Sequence, residues 1–200
     1  AKRNIKKEIL SFVLLVFFLL SFKISFFEPF RIPSGSMIPT LKIGDFILVN
    51  KMSYGITIPF SSYFNNGNAI NIYKGNGDVV KRGDVIVFKF PKNPSINYIK
   101  RVIGLPGDRL KIVEKKVYIN GKMLPIKKIE HSKMIDKSID PRYRESSFDY
   151  YESKIGSVTY NYQLDKDNYF KVDHEEITIP DDQYFVLGDN RDFSNDSRYW

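Results

Sequence analysis

The segment YIKRVIGL, residues 98–105, decides the fold because it joins β-branched and aromatic side chains to two adjacent cations, Lys100 and Arg101. Successive side chains of a strand point to opposite faces, so Lys100 shares a face with Tyr98 and Arg101 shares one with Ile99. One of the two cations must therefore face inward. A lysine against apolar neighbours loses hydration of its ammonium, which lowers its pKa and yields a neutral amine. An edge strand with both cations in solvent is the alternative.

Other short apolar runs alternate with turn residues on both sides of this segment. Their period-two patterning and their β-branched residues predict strands. The runs are 46–50 (FILVN), 84–90 (DVIVFKF), 116–120 (KVYIN) and 183–188 (QYFVLG). The dipeptide Asn120-Gly121 predicts a tight hairpin. We therefore expect a mainly β, antiparallel domain.

Composition excludes several kinds of chemistry. The 200 residues are 42% hydrophobic, enough for one globular core, and contain no cysteine. Disulfides, thiolate metal sites and cysteine nucleophiles are thereby excluded. The two histidines, His131 and His174, have no metal-ligand spacing, so we expect no metal and no cofactor. The net charge of +8 could indicate a nucleic-acid partner, but the cations are spread along the chain and do not form one stripe. A membrane surface explains the excess equally well, and we expect no nucleic-acid partner.

Residues 9–27, ILSFVLLVFFLLSFKISFF, predict a transmembrane helix of about 28 Å. Four cations precede it: Lys2, Arg3, Lys6 and Lys7. The positive-inside rule then makes residues 1–8 a cytoplasmic basic segment and residues 28–200 an extracytoplasmic domain. A removable secretory signal is the alternative, since Ser34 and Ser36 form a small-x-small cleavage pattern.

Two stretches have weaker patterns than the strands above. Residues 58–81 are polar and rich in Asn and Gly, which is typical of an irregular excursion. Residues 111–180 carry mixed charge and scattered tyrosines. We predict that this second stretch is an inserted β-rich subdomain remote from the chemistry.

Two polar segments are candidates for a site. Residues 28–41, EPFRIPSGSMIPTL, hold two serines around one glycine, with prolines that stiffen the backbone on each side. Residues 188–200, GDNRDFSNDSRYW, crowd hydrogen-bonding groups after a predicted strand. Each segment alone also fits an ordinary solvated loop.

Taken together, five motifs resemble the conserved boxes of the type I signal peptidases, also called leader peptidases. The motifs are PSGSMIPTL, GDFILVNK, RGDVIVFKFP, YIKRVIGLPGD and GDNRDFSNDSR. They occur in the family's order after the apolar segment. The resemblance implies a mainly β, antiparallel catalytic domain of the signal peptidase type and a Ser-Lys dyad.

Carried over to this sequence, the resemblance makes Ser36 the nucleophile and Lys100 the general base. It also implies that Ser34 and the Ser36 backbone N–H stabilise the oxyanion, and that Ser194 orients the lysine amine. The remaining implied pair, which braces the site, is Asp196 and Arg198.

The implied activity is that of a membrane-anchored serine endopeptidase, a hydrolase that cleaves signal peptides from exported pre-proteins through an acyl-enzyme. Substrate would add as an extended strand, with small residues at the first and third positions before the cut. The expected pocket residues are Phe30, Ile32, Met37, Tyr98 and Ile99. The implied location is the bacterial cytoplasmic membrane, single-pass with the N-terminus inside. Membrane lipid and, indirectly, the secretion machinery are the expected partners.

This sequence departs from the family pattern at two places. Many Gram-negative members carry two membrane spans, whereas one is visible in this sequence, and family members continue with further strand where this sequence stops at Trp200. Two rival functions stay open. One is a Ser-Lys protease with another substrate, such as a self-cleaving repressor. The other is a non-catalytic, membrane-tethered β-module that binds exported chains.

Overall fold

The computed structural model describes residues 5–54, 56–57, 71–73, 80–130, 148–167 and 173–200. The chain divides into two compact units. The first comprises Ala1–Phe30 and Phe46–Val79, and the second comprises Arg31–Asp45 and Val80–Trp200. His131, residues 1–4 and most of the predicted excursion at 58–81 lie outside the described residues.

The first unit holds a helix and two small sheets. Its described elements are α1 (Ile5–Phe26), β1 (Phe27–Arg31, whose last residue belongs to the second unit), β2 (Phe46–Asn50), a 3-10 helix (Lys51–Tyr54), β3 (Ile56–Thr57) and β4 (Asn71–Tyr73). Strand β1 pairs with β2, and β3 pairs antiparallel with β4. The predicted strand at 46–50 is thus confirmed. Lys51 and Glu28 form an ion pair at 2.7 Å.

Helix α1 contains most of the segment predicted to cross a membrane. Its apolar side chains between Ile9 and Leu20 are exposed within the unit. Over the described residues, no helix reaches the length and apolarity that a membrane crossing requires.

The second unit is built from antiparallel sheets. One has the order β14 (Phe185–Leu187), β6 (Asn93–Gly104), β5 (Val85–Phe90). Another runs β13 (His174–Thr178), β7 (Arg109–Val113), β8 (Lys116–Ile119), β9 (Lys122–Met123). A further sheet runs β10 (Ile126–Ile129), β11 (Phe148–Ile155), β12 (Val158–Asp165). The mainly β, antiparallel prediction is confirmed.

The turn between β8 and β9 forms as the sequence predicts. Asn120 and Gly121 both have positive φ, 50° and 77°, which a tight two-residue hairpin requires. The Asn120 side chain adds two hydrogen bonds, since it accepts from Arg109 N and donates to Asp108. This hairpin closes one end of its sheet.

An apolar cluster connects most strands of the second unit. Its buried members are Ile103, Leu110, Ile112, Val117, Ile119, Ile155, Tyr160, Tyr162, Ile179, Phe185 and Leu187. Burying one such aliphatic side chain stabilises the fold by about 1.5–3 kcal/mol relative to exposure. The cluster takes residues from β6, β7, β8, β11, β12 and β14, so it fixes β6 and β14 in one core.

The 111–180 stretch was expected to lie away from the proposed chemistry, and for β12 this is wrong. Gln163 forms a parallel bridge with Asn190, and its N–H donates to the Asp189 carbonyl at 2.9 Å. The predicted boundaries of an inserted subdomain remain a prediction, and residues 131–147 and 168–172 lie outside the described chain.

Candidate active site

The Ser-Gly-Ser turn lies on a loop between residues 32 and 45 that is pinned at its base. Ile32 N–H donates to Asp45 O at 2.8 Å, and Gly44 N–H donates to Ile32 O at 2.9 Å. Within the loop, Ser34 is exposed and Ser36 is partly buried. Because its two ends are bonded to each other, the loop presents Ser36 from a fixed base.

Lys100 meets Ser36 directly. It lies in the middle of the sheet on β6, opposite Ile86 of β5, and only 4% of its surface is exposed. Its Nζ lies 2.7 Å from Ser36 Oγ, a hydrogen-bonding distance. The edge-strand alternative, with both cations solvated, is therefore wrong.

Burial changes the protonation of Lys100. Desolvation lowers its pKa from 10.5 to about 8, and repulsion from Arg198 acts in the same direction. Asp196 and Asp189 oppose this shift by attracting the ammonium, but they do not cancel it. A useful fraction of the amine is neutral near neutral pH, and a neutral amine can accept the Ser36 proton across the same 2.7 Å contact.

Arg101, on the other face of β6, is equally buried and fully paired. Its Nε and Nη2 donate to the two Asp189 carboxylate oxygens at 2.9 and 2.7 Å, and its Nη1 donates to Gly83 O at 2.7 Å. The guanidinium also lies 4.5 Å from the Tyr160 ring centroid. The sequence predicted one inward cation. Both are buried, because β6 is covered on both faces and a carboxylate pairs with the second cation.

Gly188 allows the close approach of two segments. A Cβ at this position would lie 2.5 Å from the Ser36 carbonyl oxygen and would overlap the Ser194 hydroxyl. Its N–H donates to Asp196 Oδ2 at 3.0 Å. Only glycine fits here without displacing the segment that carries Ser36.

The predicted bracing pair is formed. Arg198 Nε lies 2.7 Å from Asp196 Oδ1, and both side chains are buried. Arg198 also donates to the Arg191 carbonyl. Asp196 and Arg198 thus close the 188–198 segment upon itself.

Ser194 is buried in this segment. Its hydroxyl has no hydrogen-bond partner among the residues that the structure describes. The bond to the Lys100 amine that the resemblance implies is not made, and the orienting role of Ser194 stays a prediction.

Sequence reasoning missed Arg191. This buried guanidinium lies 4.2 Å from the Tyr162 ring centroid and donates to Tyr160 OH at 3.0 Å and to Gly188 O at 3.2 Å. Burial raises the pKa of Tyr162 to about 12, so the ring stays neutral. Tyr160 and Tyr162 are two positions apart on β12 and so share one face of the strand. This spacing was the sequence signal that could have indicated a buried aromatic partner for Arg191.

The expected pocket residues differ in exposure. Ile32 and Met37 are almost completely buried, whereas Tyr98 and Ile99 of β6 are partly exposed. Tyr98 stacks on Phe90 with ring centroids 4.4 Å apart. Phe30 is half-buried within the first unit. Their roles in binding remain predictions.

His131 lies outside the described residues, and His174 makes no hydrogen bond with Ser36 or Lys100 in the part of the chain that the structure describes. His174 lies in β13, where its Nδ1 is 2.8 Å from the Glu175 carbonyl oxygen. Within the described ranges, no three His, Asp or Glu side chains are grouped so that they could hold a metal ion.

A buried lysine bonded to a serine hydroxyl on antiparallel sheets defines a β protein of the Ser-Lys class. The family profile described as "Signal peptidase, peptidase S26" matches residues 5–200. The chain belongs to this family, and the resemblance seen in its motifs is confirmed.

Curated relatives agree with this assignment. The chain is 42% identical over 191 residues to signal peptidase I of Pseudomonas aeruginosa, covering 95% of this chain and 61% of that protein. It is 35% identical to signal peptidase I of Rickettsia prowazekii, covering 99% of this chain and 74% of that one. The chain thus spans about six tenths of the length of the Pseudomonas relatives.

A solved structure of a signal peptidase I from Enterococcus faecalis V583 aligns with 61% of this chain and 86% of its own. The identity is 28% and the TM-score is 0.34.

Proposed function

We propose that this chain is a serine endopeptidase that cleaves signal peptides from exported pre-proteins, with Ser36 as nucleophile and Lys100 as general base. The observation that carries the proposal is the 2.7 Å contact between Lys100 Nζ and Ser36 Oγ, at a lysine whose pKa burial lowers to about 8. Family membership and curated relatives named signal peptidase I support the substrate class.

The reaction is an acyl transfer in two steps. Neutral Lys100 takes the hydroxyl proton while Ser36 Oγ bonds to the scissile carbonyl carbon. The resulting ammonium then gives its proton to the leaving amine nitrogen as the C–N bond breaks. In the second step Lys100 takes a proton from water while the water oxygen attacks the ester carbonyl carbon, and it returns this proton to Ser36 Oγ as the C–O bond to Ser36 breaks, which restores the hydroxyl and the neutral amine.

The oxyanion forms beside the Ser-Gly-Ser turn. We assign its two donors to the Ser34 hydroxyl, which is exposed and free to face substrate, and to the Ser36 backbone N–H. Ser194 is assigned to the support of the Lys100 amine, because its hydroxyl is buried in the segment that also carries Asp196 and Arg198.

The substrate is proposed to bind as an added strand along the part of β6 before Arg101, on the edge that β14 leaves unpaired. Tyr98 and Ile99 offer partly exposed side chains near Lys100, and Ile32 and Met37 flank the serine turn in sequence. Side chains of a bound strand alternate in direction, so the first and third residues before the cut face the same side. Small residues at these two positions fit the A-x-A pattern of secretory signals.

The proposed location is the bacterial cytoplasmic membrane, with α1 as the anchor and the catalytic domain outside. Support comes from the outward-facing apolar side chains between Ile9 and Leu20 and from the cations Lys6 and Lys7 that precede them. The single-pass arrangement with the N-terminus inside is part of this proposal, as are contacts with lipid and, indirectly, with the secretion machinery.

Cleavage of a pre-protein tests the proposal. Ser36→Ala and Lys100→Ala should each abolish turnover in protein that remains folded. Matched controls are Ser157→Ala, in the exposed turn between β11 and β12, and Lys122→Ala, on exposed β9. Turnover by Lys100→Ala at the wild-type rate would eliminate the dyad.

The same assay separates the rival functions. A silent binding module would leave the pre-protein intact in every variant, including wild type. A Ser-Lys protease with another substrate would form an acyl-enzyme with a general serine acylating reagent but would not cut the pre-protein.

A further inference from the structure

We propose that Asn190 is a positioning residue that aims the Ser36 backbone N–H at the developing oxyanion. This inference rests on the proposed function. Asn190 is completely buried and contacts the Ser-Gly-Ser turn twice. Its Nδ2 donates to the Gly35 carbonyl at 3.0 Å, and its backbone N–H donates to the Ser36 carbonyl at 3.1 Å.

The first contact acts on the oxyanion donor through one peptide unit. The Gly35 carbonyl and the Ser36 N–H belong to the same planar trans peptide, so they point in opposite directions. A hydrogen bond that fixes the Gly35 carbonyl oxygen therefore also fixes the direction of the Ser36 N–H on the opposite side of the same peptide. A donor on the carbonyl also polarises the peptide, which strengthens the N–H as a donor.

The second contact fixes the next peptide unit. The Ser36 carbonyl belongs to the peptide that follows the Ser36 Cα, so Asn190 holds the backbone on both sides of the nucleophile. With both units held, the Ser36 side chain has a fixed base from which its hydroxyl reaches Lys100. The Asn190 amide is oriented without ambiguity, because a carbonyl oxygen accepts only and must face the amide nitrogen.

Asn190 is in turn held by residues outside the proposed chemistry. Gln163 of β12 donates its N–H to the Asp189 carbonyl at 2.9 Å, and Phe193 N–H donates to the Asn190 carbonyl at 3.1 Å. These bonds are made by backbone groups, and the Gln163 side chain takes no part in them. Asn190 touches the backbone of the turn and not the reacting atoms, which makes it a positioning residue.

The test compares Asn190→Leu and Asn190→Ala with Gln163→Met. Leucine keeps the volume of the amide and removes its N–H, and alanine removes the same N–H with less bulk. Gln163 is the matched control because it is also a completely buried amide, on the strand that bridges to Asn190, yet its side chain has no hydrogen-bond partner among the described residues. Gln163→Met therefore changes a buried amide on the neighbouring strand and leaves the Asn190 donor to the Gly35 carbonyl in place.

We expect kcat of both Asn190 variants to fall about 10- to 100-fold, with KM unchanged, because a misaligned oxyanion donor weakens the transition state only. The pH dependence of kcat should stay at the wild-type position, since Lys100 is untouched. A peptide aldehyde ending in Ala-x-Ala, which forms a tetrahedral adduct with Ser36, should lose affinity by the same factor as kcat. Gln163→Met should keep the wild-type kcat.

Rates are expressed per active Ser36, counted by complete titration with a reagent that acylates the serine covalently, so that a partly unfolded variant is not mistaken for a slow one. The inference is overturned if both Asn190 variants retain wild-type kcat, or if Gln163→Met loses as much. It is also overturned if the pH profile moves together with kcat, which would indicate a displaced lysine. Failure of the proposed function looks different, because then wild type and Ser36→Ala process the pre-protein alike.

Discussion

The two faces of β6 each bury a cation, but the two cations have different partners. Lys100 and Arg101 are both buried, at 4% and 5% exposure. Arg101 has a two-point ion pair with Asp189, whereas the hydrogen-bond partner of Lys100 is the neutral hydroxyl of Ser36. Equal burial therefore produces a permanent, structural charge on one face and a titratable amine on the other. Burial lowers the pKa of the lysine, and the kind of side chain together with its partner decides whether a buried cation serves structure or chemistry.

The largest expected effect is on kcat, and it follows when Lys100 is replaced by an arginine like the one on the other face of β6. In Lys100→Arg the guanidinium would keep the positive charge but cannot release its proton at any working pH. We expect this variant to lose about 10⁴-fold in kcat, the scale on which losing a catalytic base is felt. Single-turnover cleavage of a pre-protein measures this loss. Retention of more than about a tenth of the wild-type rate would show that proton transfer from Ser36 does not need this amine.

Matched methionine substitutions should change stability in opposite directions. Arg101→Met leaves the Asp189 carboxylate buried without its partner, and we expect the free energy of unfolding to fall by about 3–5 kcal/mol. Lys100→Met removes a group whose pKa is lowered from 10.5 to about 8 on folding. Below pH 8 this lysine is charged in both states and the folded state bears the full desolvation cost, so the substitution should stabilise by up to about 3 kcal/mol.

The stabilising effect of Lys100→Met should disappear between pH 8 and 10.5, as the wild-type lysine loses its proton first in the folded state. Urea unfolding of wild type and both variants at about pH 7 and at about pH 10 measures how the free energy of unfolding changes with each substitution. The lower pH lies below the window, and the higher pH lies near its upper end. Destabilisation of similar size by both substitutions would erase the distinction between the two faces.

The smallest expected effect concerns the charge near Lys100. Asp196 raises the pKa of Lys100 by attracting its ammonium, and Arg198 lowers it. Asp196→Asn removes the attraction between this carboxylate and the Lys100 ammonium. It also leaves the Arg198 charge without its partner, which increases the repulsion, so both effects lower the pKa of Lys100. The pH profile of kcat/KM should therefore move to lower pH. Asp149→Asn, which disrupts an exposed pair with Lys128, is the control and should leave the profile in place. A move to higher pH would contradict the assigned electrostatics.

Local pattern was enough to predict the strands and to place a cation of β6 inside. Period-two alternation indicated β2, β5 and β6, and Asn120-Gly121 indicated the hairpin between β8 and β9. Ser36 and Lys100 were assigned by resemblance, and the structure brings their side chains to 2.7 Å. Short-range signals of this kind depend on residues a few positions apart, which is why they can be read from one sequence.

The partners of the buried polar groups could not be predicted in this way. Arg101 pairs with Asp189, which lies 88 residues away in the sequence, and Asn190 bonds to Gly35, which lies 155 residues away. No local periodicity encodes such pairs, because they arise only when distant strands share a core. For the same reason the sequence placed one cation of β6 inside, and missed that the second is also buried against its own carboxylate.

The central claim is that folding makes Lys100 a base, and the most direct measurement is the titration of its own side chain. Nitrogen-15 NMR of the Lys100 Nζ, assigned by its loss in Lys100→Arg, follows protonation without any assay of activity. We predict a midpoint at about pH 8, well below the value of an ordinary lysine. A midpoint near 10.5, that ordinary value, would contradict the account.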